Sequence, residues 1–167
     1  MISRKSIVLG FAAALLAVGG LATPSVADTH NDAIAAGEGV VVAADGAQVG
    51  QIVVHKRGDG TKPPAELGNP SEWGEVVLKI TPSNTFSPMS TEACVPASGG
   101  NWCYGYYYIT TGKHCYSNYY HSSKTHKTSV EFGNWSGNSG WVNSGETAYT
   151  AAEGGAAFTC KTYYSIQ

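Results

Sequence analysis

The chain has 167 residues, a formal net charge of −2 and only 13% charged residues. A mildly acidic chain has no long-range pull on nucleic acid or on an anionic bilayer, so its partners must be recognised by local shape and hydrogen bonding. The length allows one domain or two small ones.

Arg4 and Lys5 precede a mostly apolar stretch, Ile7 to Ala22, which is broken by Gly10, Gly19 and Gly20. Pro24 stops any helix, and Ser25-Val26-Ala27 places small residues where a signal peptidase needs them. That layout predicts a secretory signal peptide over 1–27, cleaved after Ala27. A membrane anchor is the competing reading. It is disfavoured because a span needs about 20 apolar residues, and because Asp28 follows the stretch where a basic cluster would be expected. The mature protein is therefore expected to be secreted and extracellular, without stable membrane insertion. Losing Arg4 and Lys5 leaves 8 basic residues against 12 acidic ones, a net charge of −4.

The rest divides by composition. Of 18 aromatic residues, 15 lie at or after Trp102, and all four cysteines lie at or after Cys94. Residues 28–91 hold 8 of the 12 acidic residues and only Trp73 and Phe86 as aromatics. Pro82, Ser83, Asn84, Ser87 and Pro88 mark a linker within Thr81 to Met89. The expected organisation is a signal peptide (1–27), an N-terminal extension or propeptide with β-hairpin patterning (28–91) and a β domain (92–167).

In the extension, the valine-rich run Gly39 to Ala44 and the stretch Gln51 to His55 flank Asp45-Gly46, a two-residue hairpin turn. Val76 to Ile80 is a third candidate strand. Asp59-Gly60 and Pro63-Pro64 form the loop between, and Ile34 to Ala36 allows one helical turn at most. In the second segment, Trp102, Tyr104, Tyr106 and Tyr108 alternate onto one face, Thr111-Gly112-Lys113 turns the chain, and a short strand follows from Cys115 to Tyr120. His126, Thr128, Val130 and Phe132 alternate against a wet face of Lys127, Ser129 and Glu131. Asn134 to Gly140 reads as a loop around Trp135. Trp141 to Asn143 and Thr147 to Ala151 are short strands. Ala156 to Ser165 closes the chain, with Phe158, Cys160, Thr162 and Tyr164 on one face. The expected class is all-β: a small antiparallel β-sandwich or barrel at the C-terminus, preceded by a smaller β-hairpin region.

Cys94, Cys103, Cys115 and Cys160 in an exported chain predict two disulfides, with three pairings open. No C-x-x-C pair suggests zinc. His114, His121 and His126 lack the usual metal spacing, and no acidic residue completes a set. No metal or other cofactor is expected. Catalysis is not expected either: bonded cysteines are inert as nucleophiles, and Glu131, Glu146 and Glu153 look like solvated surface instead of a glycosidase pair.

The run Tyr116-Ser117-Asn118-Tyr119-Tyr120-His121-Ser122-Ser123-Lys124-Thr125-His126, followed by Thr128, Ser129 and Val130, resembles the Y-S-N-Y-x-H-x-S-K-T-H signature of the lactococcin 972 family of bacteriocins. Gly99-Gly100-Asn101-Trp102 with Gly105, and Ala157-Phe158 with Tyr163-Tyr164, resemble that family's Gly-rich start and aromatic end. The resemblance spans about Gly99 to Gln167. It implies a secreted antibacterial protein with a small β-sandwich and no thioether bridges, acting on cell-wall building through a precursor and not through pores. The four cysteines and the residues 28–91 are departures from the pattern.

Within the run, the hydroxyls and the ammonium between His121 and His126 offer hydrogen-bond donors to an anion. Flanking tyrosines offer flat faces and hydroxyls to sugar rings or lipid chains. The expected target-binding set is Tyr116, Asn118, Tyr119, His121, Ser123, Lys124, Thr125 and His126, directed at a bacterial cell-envelope component that presents sugar and pyrophosphate. The competing reading is structural, with Tyr116 and Tyr119 filling the core, Ser122-Ser123 forming a turn and His126 capping a strand face. The alternative function is a secreted carbohydrate- or cell-wall-binding module without killing activity. A homodimer is compatible with either. Disulfide pairing, the exact target, the sensitive species and the fate of 28–91 stay open at this level.

Overall fold

A computed structural model describes residues 39–42, 48–78 and 91–167. Ten strands form among the described residues: β1 (Val40–Val42), β2 (Gln48–Lys56), β3 (Glu72–Leu78), β4 (Thr91–Ala97), β5 (Gly100–Ile109), β6 (Gly112–Tyr120), β7 (His126–Phe132), β8 (Trp135–Asn138), β9 (Thr147–Gly154) and β10 (Cys160–Ile166). They make a six-stranded sheet in the order β1-β2-β3-β10-β7-β8 and a four-stranded sheet in the order β4-β5-β6-β9. Every pairing is antiparallel. The two sheets pack face to face as a sandwich and do not close into a barrel.

The period-2 patterns determine what is buried. The inner face of the four-stranded sheet carries Trp102, Tyr104 and Tyr106 of β5 and Cys115 and Tyr119 of β6. They meet Val76 and Leu78 of β3, Val130 and Phe132 of β7, and Cys160, Tyr164 and Ile166 of β10 in one core. Trp102 and Tyr164 meet edge to face at 4.9 Å, and Tyr119 lies 4.8 Å from Tyr164. Each large apolar side chain buried in this way contributes roughly 1.5–3 kcal/mol.

A polar chain crosses this aromatic interior. The Trp102 indole N–H donates to Ser117 Oγ (2.9 Å), Ser117 Oγ donates to Thr128 Oγ1 (2.5 Å), and Thr128 Oγ1 donates to the Tyr163 carbonyl (2.7 Å). The chain ties β5 and β6 of one sheet to β7 and β10 of the other.

The three cysteine pairings reduce to one. Cys94–Cys103 joins directly opposed residues of β4 and β5, and Cys115–Cys160 joins β6 to β10 across the sandwich. Their sequence separations are 9 and 45. In the chain-entropy account, those loops correspond to about 2.5 and about 4 kcal/mol, so the inter-sheet bridge restrains the unfolded chain more.

Several local expectations are corrected. Asn134 to Gly140 is not all loop, because Trp135–Asn138 pairs with β7 as an edge strand. The face of β7 carrying Lys127 and Ser129 is not wet. The single 3-10 turn Ala65–Leu67 supplies the Glu66 carbonyl to Lys127 Nζ at 2.9 Å, and Ser129 Oγ donates to Gly137 O at 2.7 Å. Cys115 to Tyr120 belongs to a longer strand that starts at Gly112, with the turn at Thr110-Thr111. Trp141 to Asn143 contributes only an isolated bridge, between Val142 and His126. Phe158 precedes β10 and does not lie on it. The third strand begins at Glu72, and β4, a strand not expected from the sequence, pairs with β5. The signal peptide, the Asp45-Gly46 turn, the Ile34 to Ala36 turn and the linker at 81–89 lie outside the described residues.

Lys113 has an unusual setting. It is fully buried on the inner side of β6, its ammonium lies 4.5 Å from the centre of the Tyr106 ring, and it donates to the Phe158 carbonyl at 2.5 Å. Among the described residues no carboxylate pairs with it. Burial lowers its pKa from the ordinary lysine value to about 8. The folded state therefore binds this proton less well than the unfolded chain. The cost of the buried charge is present in full below pH 8 and fades as pH rises toward the unfolded value near 10.5. Stability should climb between about pH 8 and pH 10. It should then fall, because burial raises the pKa values of Tyr104, Tyr119 and Tyr163 above that of an unfolded tyrosine. Lys113→Met should raise stability at neutral pH by about 1–3 kcal/mol and flatten the rise between pH 8 and 10. Denaturant unfolding of both proteins across that range measures this, and an unchanged slope would exclude Lys113 as its source.

Candidate target-binding surfaces

The run Tyr116 to His126 is divided by the pleat of β6 and by the turn that follows it. Tyr116, Asn118 and Tyr120 point to the outer face of the four-stranded sheet. Ser117 and Tyr119 point inward, Ser117 into the polar chain and Tyr119 into the core. The Tyr119 hydroxyl donates to the Ala97 carbonyl at 2.8 Å, so the ring is held at both ends.

Two histidines shape the turn between β6 and β7. His121 is buried. Its Nε2–H donates to the Ser98 carbonyl (3.0 Å), and its Nδ1 accepts the backbone N–H groups of Ser123 (3.2 Å) and Lys124 (3.1 Å). Such a ring must be neutral, with its proton on Nε2. His126, also buried, donates from Nδ1 to the Lys124 carbonyl at 2.9 Å. The backbone of Lys124 is thus held from both sides. The side chains of Ser122, Ser123 and Lys124 are exposed and Thr125 is half-buried. Among the described residues no carboxylate pairs with the Lys124 ammonium.

The predicted set therefore separates into three groups. Ser123, Lys124 and Thr125 form a tip at one end of the sandwich. His121 and His126 lie beneath the tip and fix its backbone, and Tyr119 is enclosed in the core. Tyr116 and Asn118 lie on a sheet face.

That face also carries Tyr107, His114, Tyr149 and Glu153, which lie outside the expected set. Across β5, β6 and β9 the register sets Cys103, Asn118 and Tyr149 in one row, Gly105, Tyr116 and Ala151 in the next, and Tyr107, His114 and Glu153 in the third. Tyr149 is 61% exposed. Tyr107 stacks on His114 at 4.6 Å, and His114 Nδ1 lies 3.1 Å from the Glu153 carboxylate. Tyr116 faces the Glu92 carboxylate, and burial, reinforced by that charge, raises its pKa. Period-2 alternation is the signal for this face: it carries the odd-numbered positions of β5 and β9 and the even-numbered positions of β6. On the six-stranded sheet, by contrast, Leu67 of the 3-10 turn packs outside the strands with Trp73 and Tyr163.

Among the described residues, no group of three His, Cys, Asp or Glu side chains could hold a metal ion, and no helix is long and apolar enough to cross a membrane.

The fold and the pinned turn define a disulfide-linked β-sandwich whose polar tip is carried between two buried histidines. Residues 98–164 match the family model described as Bacteriocin (Lactococcin_972). No curated protein and no solved structure gives a significant match. The family match supports a bacteriocin-type function. It spans the sandwich from the β4–β5 turn almost to the end of β10, and leaves β1, β2, β3 and β4 outside.

His121→Ala removes the acceptor of two backbone N–H groups and a donor to Ser98 O. It should destabilise the protein by about 1–3 kcal/mol and speed amide exchange at Ser123 and Lys124. Lys124→Ala removes only an exposed side chain and should change stability by no more than about 0.5 kcal/mol. Thermal unfolding and amide exchange of the two variants test this contrast.

Proposed function

We propose that this chain is an exported antibacterial protein that binds a cell-envelope component of competing bacteria through the tip at Ser122 to Thr125. One observation carries the reading. Inside the segment that matches the bacteriocin family, the ammonium and hydroxyls of an exposed turn are presented on a backbone held by His121 and His126. A backbone fixed in advance lowers the entropy cost of binding. A lysine beside two serines suits an anion such as a pyrophosphate, and a cell-wall precursor joins that group to sugar. Catalysis has no part in this reading.

A second reading is favoured by the outer face of the four-stranded sheet. Tyr107, Tyr120 and Tyr149 are exposed there beside Asn118, whose Oδ1 is buried without a hydrogen-bond partner. Rings with polar tips next to an unsatisfied amide suit uncharged sugar rings. On this reading the protein binds envelope glycan without killing.

The expected result is growth inhibition of related Gram-positive strains by the purified, disulfide-bonded protein. Inhibition should weaken at least tenfold in Lys124→Ala and remain in Tyr149→Ala. Binding to isolated cell walls that is lost in Tyr149→Ala, with no inhibition of any strain, would establish the second reading in place of the first.

A further inference from the structure

The family match begins at residue 98, but the sandwich does not. β3 lies outside the match and runs beside β10 along its whole length, from Cys160 opposite Leu78 to Ile166 opposite Glu72. β2 pairs with β3 on its far side. We propose that residues 48–78 remain in the mature folded protein as a strand pair donated to the β10 edge, and that they are not discarded as a propeptide.

Four observations carry this. First, the segment supplies core. Val76 and Leu78 are fully buried among Trp102, Tyr164 and Val130, and Trp73 forms a second cluster with Leu67 and Tyr163. Second, the fit to β10 requires a glycine. The Tyr164 ring lies directly on Gly74, where a Cβ would stand 2.1 Å from Cε1. Third, polar groups are matched across the junction. The Glu66 carbonyl accepts from Lys127 Nζ, and the Glu66 carboxylate accepts from Ser136 Oγ and Asn138 Nδ2, each at 2.9 Å. Ser71 Oγ donates to the Ile166 carbonyl at 2.9 Å. The Ser98 hydroxyl donates to the Glu72 carboxylate and lies 2.7 Å from the Tyr164 hydroxyl. Fourth, removal would turn β10 into an open seven-residue edge, uncover Tyr163 and Tyr164, and leave the Lys127 ammonium, now buried, without its carbonyl. Open edges invite pairing with other chains.

All four cysteines lie at or after Cys94, so no disulfide can hold the segment in place. The attachment is strand pairing, core packing and side-chain hydrogen bonds, as when a chain donates a strand to an exposed sheet edge. Here the donor and the acceptor belong to the same chain.

The experiment uses the full chain with a protease site inserted between Leu78 and Thr91. After cutting, the piece containing 48–78 should co-elute with 91–167 under native conditions, at the mass of one chain, and separate only in denaturant. Separate elution of the pieces without denaturant would overturn the proposal. So would a native mass of two chains, which would show that the segment pairs with a second copy. Intact mass of the unmodified protein from culture supernatant gives an independent check: the mature chain should begin upstream of residue 48, and a folded product starting after Leu78 would overturn the proposal. Gly74→Val should make the cut pieces separate at lower denaturant concentration than the parent. None of these readouts depends on killing, so the antibacterial reading and this proposal fail separately.

Discussion

The seam between β6 and β10 is the constraint on which the rest depends. Ser117, Thr128 and the Tyr163 carbonyl form one polar chain there, and Cys115–Cys160 lies beside it. A core built largely from tyrosine and tryptophan carries polar atoms inside, and an unpartnered one, such as the buried hydroxyl of Tyr104 or Tyr106, costs about 1–3 kcal/mol. The chain satisfies the Trp102 indole with the Ser117 hydroxyl of the neighbouring strand, which is bonded in turn to Thr128 of the opposite sheet. It also fixes how the sheets face each other, because a shift of β6 by one residue would turn Ser117 outward and Tyr116 inward. The disulfide fixes the same relation covalently.

This explains why the family-like run is so specific in composition. Alternate residues serve different ends. Ser117 and Tyr119 hold the sandwich together, whereas Tyr116, Asn118 and Tyr120 are left for its outer face. At the end of β6 the histidines take over. An imidazole can accept at one nitrogen and donate at the other, and His121 uses both to replace strand pairing at the turn. No other side chain has that geometry within so compact a ring. Much of the run is therefore explained by folding, and the part that folding leaves free is small: the exposed side chains between the two histidines.

The all-β class and the inward faces of β5, β7 and β10 were legible, because period-2 alternation of Trp102, Tyr104, Tyr106, Val130 and Tyr164 reports a face directly. The alternation of β7 was read correctly as a strand but misjudged as half wet. Burial of Lys127 and Ser129 comes from the turn around Glu66 and from β8, elements distant in sequence or too short to show a period. Disulfide pairing was illegible for the same reason, since the opposition of Cys94 and Cys103 is a property of register. In the candidate site, the sequence could identify the residues but not separate supports from contacts. His121 and Lys124 are equally polar on paper. Only the hydrogen bonds at His121 Nδ1 show that one is spent on the backbone while the other faces solvent.

The same reasoning bears on how the molecule would meet a target. The turn is anchored to Ser98 on one side and to β7 on the other, and Gly145 N–H donates to the His121 carbonyl at 2.9 Å. Ser98 itself has a positive φ of 48° and bonds Glu72 of β3. A residue other than glycine holds that conformation only where its surroundings determine it. Here the surroundings include a strand from outside the family-matched segment. The carbonyl that orients His121 is thus fixed partly by β3, and His121 in turn fixes the backbone of Lys124. By this chain of contacts the N-terminal strands bear on the shape of the exposed tip without touching it. A change at Glu72 would reach the tip only through Ser98 and His121, which distinguishes it from a change at Lys124, where the exposed side chain itself is altered.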